Sequence, residues 1–417
     1  MDFKKAVVKT ASKISSSGGK KCLVFMHDDP DGLTSGVILN YLLKKSGAEV
    51  TCRIPLTMEL EKFRIEEELK KSSYDMLFIV DKATMGYYSD YPDLIKDVVI
   101  IDHHSLIGEF PSRCTVCNPS IPSYSLCSTS LILNMIATEL GSRNQFIDFQ
   151  TLVGLKSDWA IDPAVDFASD VSKSFYDEAK TEFPELFKKI PAGEGVRMTM
   201  FEAKQKENTT LLNLLSEFFF ALSGGGFQYF YPDRVPEVKS IGQPEFTYDL
   251  LADLRNFDFS NLAEFIDSVR EKQTARKLYQ CYLDDWNRAV NMFDNTVLLE
   301  NVDGTSVYLF LGLAIPLMPM VGSVKLYQLG NSCALVMVNY LGTEAGIHFS
   351  FRANSDKINW GTVAAKMTEI MTEKFGHKGI ITGGGHPRAA EFRTRSSGVS
   401  LNETLKVFFE VFTTQRT

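Results

Sequence analysis

The sequence predicts an α/β protein of two lobes with a helical region between them. Residues 22–165 alternate short apolar runs of strand length with longer segments of helical periodicity. This alternation is typical of a parallel sheet with helices on both faces. Residues 166–294 hold mostly helical patterns, and strands and helices alternate again from residue 295. We therefore expect domains at 1–165 and 295–417, joined by a helical insertion and linker at 166–294.

Length and composition agree with this division. The chain has 417 residues, of which 44% are hydrophobic and 30 are Phe, so it can form sizeable cores and is not disordered. It has no apolar run of about 18 residues, and its N-terminus lacks the apolar centre of a signal peptide. Seven scattered cysteines are expected to be free thiols. We expect a cytoplasmic protein without a membrane span.

The charge distribution limits the type of nucleic-acid partner. The net charge is −8 overall, but residues 301–417 hold 11 Lys and Arg against 8 Asp and Glu, a balance of +3. Nothing resembles a long basic stripe. The sequence favours a strand end or short oligomer in a cleft over tight binding along a duplex.

The first lobe is predicted to contain four strands and four helices. An amphipathic helix precedes the first strand, and a Ser/Thr run at 128–130 can cap the last helix. The predicted elements are strand Cys22–Met26, helix Leu33–Ser46, strand Val50–Ile54, helix Met58–Lys71, strands Met76–Val80 and Val98–Ile101, and helix Ser128–Leu140.

Acids and histidines follow three of these strands directly. The groups are His27, Asp28, Asp29 and Asp31 after the first strand, Asp81 after the third, and Asp102, His103 and His104 after the fourth. Asp158 follows a helical segment. A single acidic turn would be read as solvated, but the pattern recurs at three strand ends, where open α/β sheets bind ligands. His27, Asp29, Asp31, Asp81, His103 and Asp158 form a mixed nitrogen and oxygen set that suits a pair of Mn²⁺ or Mg²⁺ ions.

The second lobe contains a glycine-rich segment, TGGGHPRAA, at 382–390. Strands are predicted at 306–313, 333–340 and 346–352, and helices at 362–375 and 401–412, with the glycine segment as a loop. Consecutive glycines allow backbone amides to approach a phosphate, and His386, Arg388 and Arg352 supply further donors. The alternative is a glycine turn beside a surface His and Arg.

The middle region is less informative. Helices are predicted at 167–182, 210–222 and 248–292, with a loop-rich stretch at 223–246. Its aromatic group, Phe227, Tyr229, Phe230 and Tyr231, either stacks on exposed bases or packs the loop onto the core, and we favour packing.

Together, HDDPDG, the isolated Asp81, the DHH triplet at 102–104 and Asp158 resemble the four motifs of the DHH phosphoesterase superfamily. The glycine segment resembles the GGGH motif of the DHHA1 domain that follows the catalytic domain in RecJ-like exonucleases, the archaeal replication-associated type included. The resemblance implies an N-terminal DHH domain and a C-terminal DHHA1 domain. Lys82 and Glu391 depart from the family pattern.

The resemblance also implies residue roles. His27, Asp29 and Asp81 would hold one metal ion, and Asp31, Asp81, His103 and Asp158 the other, with Asp81 as the bridge. Asp102 would orient a histidine. The implied catalytic residues are Asp81, His103 and His104, and the implied substrate-binding residues are His104, Arg352, Gly384, Gly385, His386 and Arg388.

Three functions stay open on this basis. The first is a Mn²⁺- or Mg²⁺-dependent RecJ-like exonuclease that hydrolyses single-stranded DNA or RNA to 5′-mononucleotides. The second is a phosphoesterase for short oligonucleotides, nucleoside bisphosphates or cyclic dinucleotides. The third is a Cdc45-like replisome scaffold. The archaeal resemblance adds replication proteins such as GINS as possible partners.

Overall fold

The fold is taken from a computed structural model that describes residues 2–190, 209–226, 228–254, 262–269, 271–293, 296–342, 346–375, 381–394 and 398–414. The chain divides into two compact units, residues 1–194 with 207–281, and residues 195–206 with 282–417. The mixed α/β class is confirmed, whereas the predicted limits at 165 and 294 stay a prediction. Among the described helices, none combines the length and apolarity that crossing a membrane requires.

The first unit contains the N-terminal sheet and most of the helices. Its elements are α1 Phe3–Ser15, β1 Lys21–Met26, α2 Pro30–Lys45, β2 Glu49–Arg53, α3 Lys62–Leu69, β3 Met76–Val80, β4 Thr84–Met85, β5 Asp97–Ile101, β6 Leu106–Ile107, β7 Thr115–Cys117, α4 Thr129–Glu139, α5 Gln145–Ser157, β8 Ile161–Asp162, β9 Phe167–Ala168, α6 Lys173–Glu182, α7 Leu211–Ser223, α8 Gln243–Asp253, α9 Leu262–Ser268 and α10 Lys272–Met292. The boundary between the units falls within α10.

Five parallel strands form the main sheet in the order β2-β1-β3-β5-β7. Alternate residues face opposite sides, and Leu23, Leu77 and Ile100 pack with Ile65 of α3 and with Tyr88 in one core. On the other side α2 lies close against β1, because Gly36 leaves space for the Met26 side chain. The predicted strands of this lobe are present, and β7 is an additional edge strand.

The predicted helix at 58–71 is shorter in the structure, where α3 covers Lys62–Leu69. The carbonyls of Pro55 and Thr57 instead accept hydrogen bonds from the Lys82 ammonium. The amide of Leu60 donates to the Tyr88 hydroxyl at 2.8 Å. The Leu60 carbonyl, which a longer helix would use, accepts from the Tyr91 hydroxyl.

The helices predicted in the middle region also differ in their limits. The pattern at 167–182 gives β9 followed by α6, and the one at 248–292 corresponds to α8, α9 and α10. Of the aromatic group, Tyr231 is buried and the Phe230 ring packs over Gly224, while Phe227 lies outside the described residues.

The second unit is a six-stranded mixed sheet in the order β10-β11-β12-β13-β15-β14. Its elements are β10 Val297–Val302, β11 Thr305–Leu313, α11 Met318–Leu329, β12 Cys333–Tyr340, β13 Ile347–Ala353, α12 Trp360–Phe375, β14 Ile381–His386, β15 Ala389–Thr394 and α13 Leu401–Thr414. One face packs against α12 and α13 through a core that includes Val336, Phe349, Trp360 and Phe408.

The glycine segment predicted as a loop is a β-hairpin. Thr382–His386 lie in β14, Ala389 and Ala390 begin β15, and Pro387–Arg388 make the turn. A Cβ on Gly383 would meet Ala364 and Thr368 of α12, and a Cβ on Gly361 of α12 would meet the Gly385 carbonyl. The glycines therefore allow an edge strand to lie directly under a helix, a packing requirement that glycine composition alone does not reveal.

Candidate functional site

The candidate site lies at the carboxyl ends of three adjacent strands. Met26 of β1 is in register with Val80 of β3, and Val80 with Ile101 of β5. The next residues along the chain, His27, Asp81 and Asp102, therefore leave the sheet side by side. The ladder extends one step beyond the strands, since the Asp81 amide donates to Ile101 and the Asp102 amide to Cys117.

A first group of possible metal ligands is formed by His27, Asp29 and Asp81, which offer ligand atoms within 4.8 Å of one another. Nδ1 of His27 lies 3.0 Å from Oδ2 of Asp29 and 3.9 Å from Oδ2 of Asp81. Asp29 also caps α2, because its Oδ1 accepts from the Gly32 amide at 2.8 Å. Capping by Asp29, with Pro30 as the first helical residue, explains why α2 begins three residues before the predicted start.

A second group combines Asp31, His103 and Asp158, again within 4.8 Å, and Asp81 also groups with His103 and His104. Nε2 of His103 lies 3.1 Å from Oδ2 of Asp158 and 3.4 Å from Oδ1 of Asp81. All six residues predicted to bind metal thus occur in these overlapping groups. Asp81 lies close to His27, His103 and His104.

The start of α4 holds two of these carboxylates. The amides of Thr129 and Ser130 donate to the two oxygens of Asp31 at 2.6 and 3.0 Å, and the Thr129 hydroxyl donates to Oδ1 of Asp81 at 2.7 Å. The helix N-terminus also favours negative charge. The Ser/Thr run indicated a helix cap, and Ser128 does cap α4, but nothing in the sequence indicated that Thr129 and Ser130 reach the site.

Asp102 orients His104. Its Oδ1 lies 2.8 Å from Nδ1 of His104, and its Oδ2 accepts from Thr84 at 2.7 Å and from Asn118 at 3.2 Å. Asn118 also donates to the His104 carbonyl at 2.8 Å. Asp102 therefore fixes the ring of the histidine predicted to contact phosphate. The sequence did not identify Thr84 or Asn118.

The carboxylates repel one another strongly. Burial raises the pKa of Asp81 well above its usual range, and the nearby charges of Asp31 and Asp29 raise it further. Burial and Asp31 likewise raise the pKa of Asp158. Burial opposes ionisation of Asp29 as well, but His27 outweighs it and lowers the pKa of that carboxyl. Such a cluster requires either protons or cations to be stable.

The residues fit divalent cations. Oδ2 of Asp81 is buried and makes no hydrogen bond within the described part of the chain, although it faces His27. Carboxylate oxygens with imidazole nitrogens are ligands that Mn²⁺ accepts, and Mg²⁺ favours the carboxylates. A buried carboxylate oxygen that accepts no hydrogen bond is suited to bind a cation.

Two neighbouring charges, Asp28 and Lys82, have different roles. Oδ1 of the fully buried Asp28 lies 3.3 Å from Nε2 of His27, on the ring edge away from Asp29. A carboxylate in this position can orient a metal-binding histidine. The Lys82 ammonium binds backbone carbonyls, and burial lowers its pKa to about 8. Lys82 therefore stabilises the backbone beside the site.

The turn after α7 also reaches this cluster. Gly224, Gly225 and Gly226 all have positive φ, and a Cβ on Gly226 would lie 3.2 Å from both Cε1 of His27 and Cβ of Asp29. Only glycine fits there without displacing a ligand candidate. The sequence placed this stretch in a loop without linking it to the site.

In the second unit, the predicted substrate residues lie on or beside one end of the sheet. Arg352 donates to Oε1 of Glu391 at 2.9 Å, and Ser350 donates to the same oxygen at 2.8 Å. His348 pairs with the other oxygen of Glu391. Burial would raise the pKa of Glu391, but His348 and Arg352 lower it to about 2. Glu391, which the sequence marked as a departure, therefore neutralises Arg352.

The candidate residues of the hairpin do not all lie on the same face of the sheet. Gly384 is in register with Glu391 and His386 with Ala389, so Gly384 and His386 share the face of Arg352. Gly385 has φ +135, and its carbonyl lies against Gly361 of α12. Arg388, in the turn, pairs with Asp356 and is exposed. Arg352, Gly384 and His386 are therefore the predicted substrate residues of this unit that share a surface.

Comparison with known proteins agrees with this architecture. Residues 21–155 match the model of the DHH family, N-terminal domain. No curated protein matches the chain significantly. Exonuclease RecJ bound to manganese is 17% identical over 98% of this chain and 94% of that chain, with a TM-score of 0.55. The DHH domain of a member of the s1p family of ribosomal proteins is 16% identical over 98% and 90%, with a TM-score of 0.63. At these identities the likeness concerns the fold.

RecJ from Thermus thermophilus, in complex with Mn²⁺, is 18% identical and has a TM-score of 0.57. The match covers 98% of this chain but only 55% of that RecJ, so this chain spans about half of its length.

Proposed function

We propose that this protein is a metal-dependent phosphodiesterase of the RecJ-like type, which hydrolyses single-stranded DNA or RNA from an end to 5′-mononucleotides. The observation that carries the proposal is the overlap of two His and Asp groups at Asp81, in a buried cluster of like charges. The match of residues 21–155 to the DHH family supports the same interpretation.

In this proposal His27, Asp29 and Asp81 hold one Mn²⁺ or Mg²⁺ ion, and Asp31, Asp81, His103 and Asp158 hold the second. Bound cations would lower the pKa of water beside the phosphorus and neutralise charge on the phosphate oxygens. Asp81 takes part in both groups, so its replacement affects both. Thr129 and Ser130 keep Asp31 and Asp81 in place through three hydrogen bonds.

His104 is assigned to the substrate. Because Asp102 engages Nδ1, contact with a phosphate oxygen falls to Nε2. From this position the ring can stabilise charge that develops on the phosphate oxygens. Asp102 itself stays ionised, since His104 lowers its pKa despite burial. His104 therefore stabilises the transition state, and Asp102 positions it.

The second unit is assigned to phosphate binding through Arg352, Gly384 and His386 on the sheet, with Gly385 and Arg388 of the hairpin beside them. Arg352 is already paired with Glu391, so its contribution is smaller than that of an uncompensated guanidinium. This favours an arrangement in which affinity comes from few phosphate contacts, as suits a strand end.

End-labelled single strands of DNA and RNA, from 2 to about 30 nucleotides, test the proposal with the full-length protein and Mn²⁺. We expect progressive shortening of long strands, release of 5′-mononucleotides and loss of both on chelation. Cleavage of dimers and trimers alone would instead identify a phosphoesterase for short substrates. No turnover of any strand, with specific capture of replication proteins such as GINS, would identify a scaffold.

A further inference from the structure

One exposed tryptophan lies beside the candidate metal cluster. The chain has three tryptophans, and Trp286 and Trp360 are 4% and 1% exposed, whereas Trp159 is 43% exposed. Trp159 follows Asp158 directly, and Asp158 groups with Asp31 and His103. The position places a large aromatic surface at the edge of the site rather than in a core.

The backbone of Trp159 is strained. Its φ is +54, in the left-handed region, which is unfavourable for a bulky side chain and favourable for Gly or Asn. A bulky ring that is both exposed and held on a left-handed backbone is a candidate for a role in binding.

A second exposed aromatic side chain lies near the same carboxylate. Tyr124 is 45% exposed, and burial of its hydroxyl, together with the charge of Asp158, raises its pKa to about 12. Single exposed aromatics are ordinary on protein surfaces. Two of them near one ligand candidate, one on a strained backbone, are typical of a binding surface.

We propose that Trp159 stacks on the nucleobase next to the phosphate that is hydrolysed. This inference rests on the proposed function, and it adds that the protein recognises a base as well as a phosphate. Aromatic rings bind any nucleobase through its π-face, so the contact would select single-stranded ends without selecting sequence.

A binding cycle between protein and ligand tests the stacking separately from hydrolysis. The ligands are short single strands with phosphorothioate linkages, which resist cleavage, either complete or lacking one terminal base at either end. The proteins are the wild type, Trp159→Gly, Trp159→Phe and, as a matched exposed aromatic on α3, Phe63→Ala. Dissociation constants are measured with Mn²⁺ by fluorescence anisotropy.

For the wild type we expect removal of one terminal base to weaken binding about tenfold. Trp159→Gly should bind the complete strand as weakly as the wild type binds the strand that lacks a base, and it should no longer distinguish the two ligands. Trp159→Phe and Phe63→Ala should retain the difference. The complete strand should quench the tryptophan emission of the wild type but not of Trp159→Phe. Trp159→Gly should unfold at the wild-type temperature or above, because glycine relieves the strained φ.

Wild-type binding that ignores the terminal base would overturn the stacking, as would a base effect that persists in Trp159→Gly. Failure of the proposed function has a different signature, since natural strands would then survive Mn²⁺ while the base effect on binding remains. A wild type that binds no strand at all would overturn both.

Discussion

The two regions predicted to act on substrate handle charge in opposite ways. At the ends of β1, β3 and β5, carboxylates crowd together, and burial with mutual repulsion raises the pKa of Asp81 and Asp158. On the sheet of the second unit, the single acid Glu391 is surrounded by His348, Ser350 and Arg352, and its pKa falls to about 2. The charge of the first region must be offset by protons or cations, whereas the second is neutralised by its own side chains.

This contrast indicates which region depends on a bound ligand for its stability. Buried like charges favour binding of cations and penalise the protein without them. A paired glutamate keeps its arginine and histidine in place whether or not a phosphate is present. We therefore expect substitutions in the first region to change metal binding and turnover, and those in the second to change stability and affinity.

The largest effect is expected for Asp81→Asn. Because Asp81 belongs to two of the three ligand groups, the hydrolysis rate with Mn²⁺ should fall about a thousandfold, which corresponds to several kcal/mol of lost stabilisation. Turnover of a labelled single strand measures it. Asp97→Asn, at the opposite end of β5 and paired with Lys13 at 2.6 Å, serves as control and should keep its rate.

The thermal midpoint in chelator distinguishes this from unfolding. Since the pKa of Asp81 is raised in the fold, ionisation costs stability above the usual carboxyl pKa, and Asn removes that cost. Without metal the variant should be at least as stable as the wild type at neutral pH. A lower midpoint would show that Asp81 holds the fold together, against the proposed contrast.

Asp28→Asn should have the next largest effect, on metal affinity. The carboxylate lies 3.3 Å from Nε2 of His27 and can hold the ring with Nδ1 toward Asp29. Loss of such a partner weakens metal binding about 10- to 100-fold. Calorimetric titration with Mn²⁺ measures it, with the exposed Asp170→Asn as control. An unchanged dissociation constant would mean that His27 needs no orienting acid.

Glu391→Gln addresses the second region. Removing the charge leaves Arg352 and His348 without their shared partner, so the free energy of unfolding at pH 7 should fall by about 1–2 kcal/mol. The lowered pKa of Glu391 means that its contribution is complete above about pH 4.5 and disappears as pH falls toward 2. Denaturation of the wild type and the variant across this pH range should therefore show a difference in stability that shrinks as the pH falls.

The same variant also changes binding. With Arg352 no longer neutralised, affinity for a single strand should rise, and more steeply at low salt. Glu403→Gln, at a half-buried acid paired with Lys374 and Lys406, is the control and should change neither quantity measurably. A fall in affinity for Glu391→Gln would show that the glutamate prepares Arg352 for phosphate instead of competing with it.

The sequence predicted the strands and acids of the first region because buried strands and charged turns differ sharply in composition. Met76–Val80 and Asp81 could be identified from the letters alone, and the parallel order then places Asp81 beside His27 and Asp102. Contacts made by small neutral residues left no such signal. Thr129 and Asn118 belong to the site through hydrogen bonds across long chain separations.

In the second region, composition alone predicted the wrong secondary structure. A run of glycines predicts a loop by composition, yet here it forms an edge strand close beneath α12, where Gly383 and Gly361 leave no Cβ in the contact. Likewise the sequence predicted Arg352 to donate to a phosphate, but its pairing with Glu391 depends on the register between β13 and β15. Register is set by the whole sheet and is not readable from one segment.

The smallest effect is expected for Gly226→Ala, which has a matched control in Gly141→Ala. Both glycines have similar positive φ, +70 and +60, so both substitutions should cost about 1 kcal/mol of backbone strain. A Cβ at Gly141 meets nothing within 4 Å, while one at Gly226 presses on His27 and Asp29. Thermal midpoints should therefore fall alike, but only Gly226→Ala should weaken Mn²⁺ binding, by a few-fold. Equal metal affinity in both variants would show that the turn after α7 does not shape the cation site, and would confine that site to the strand ends and α4.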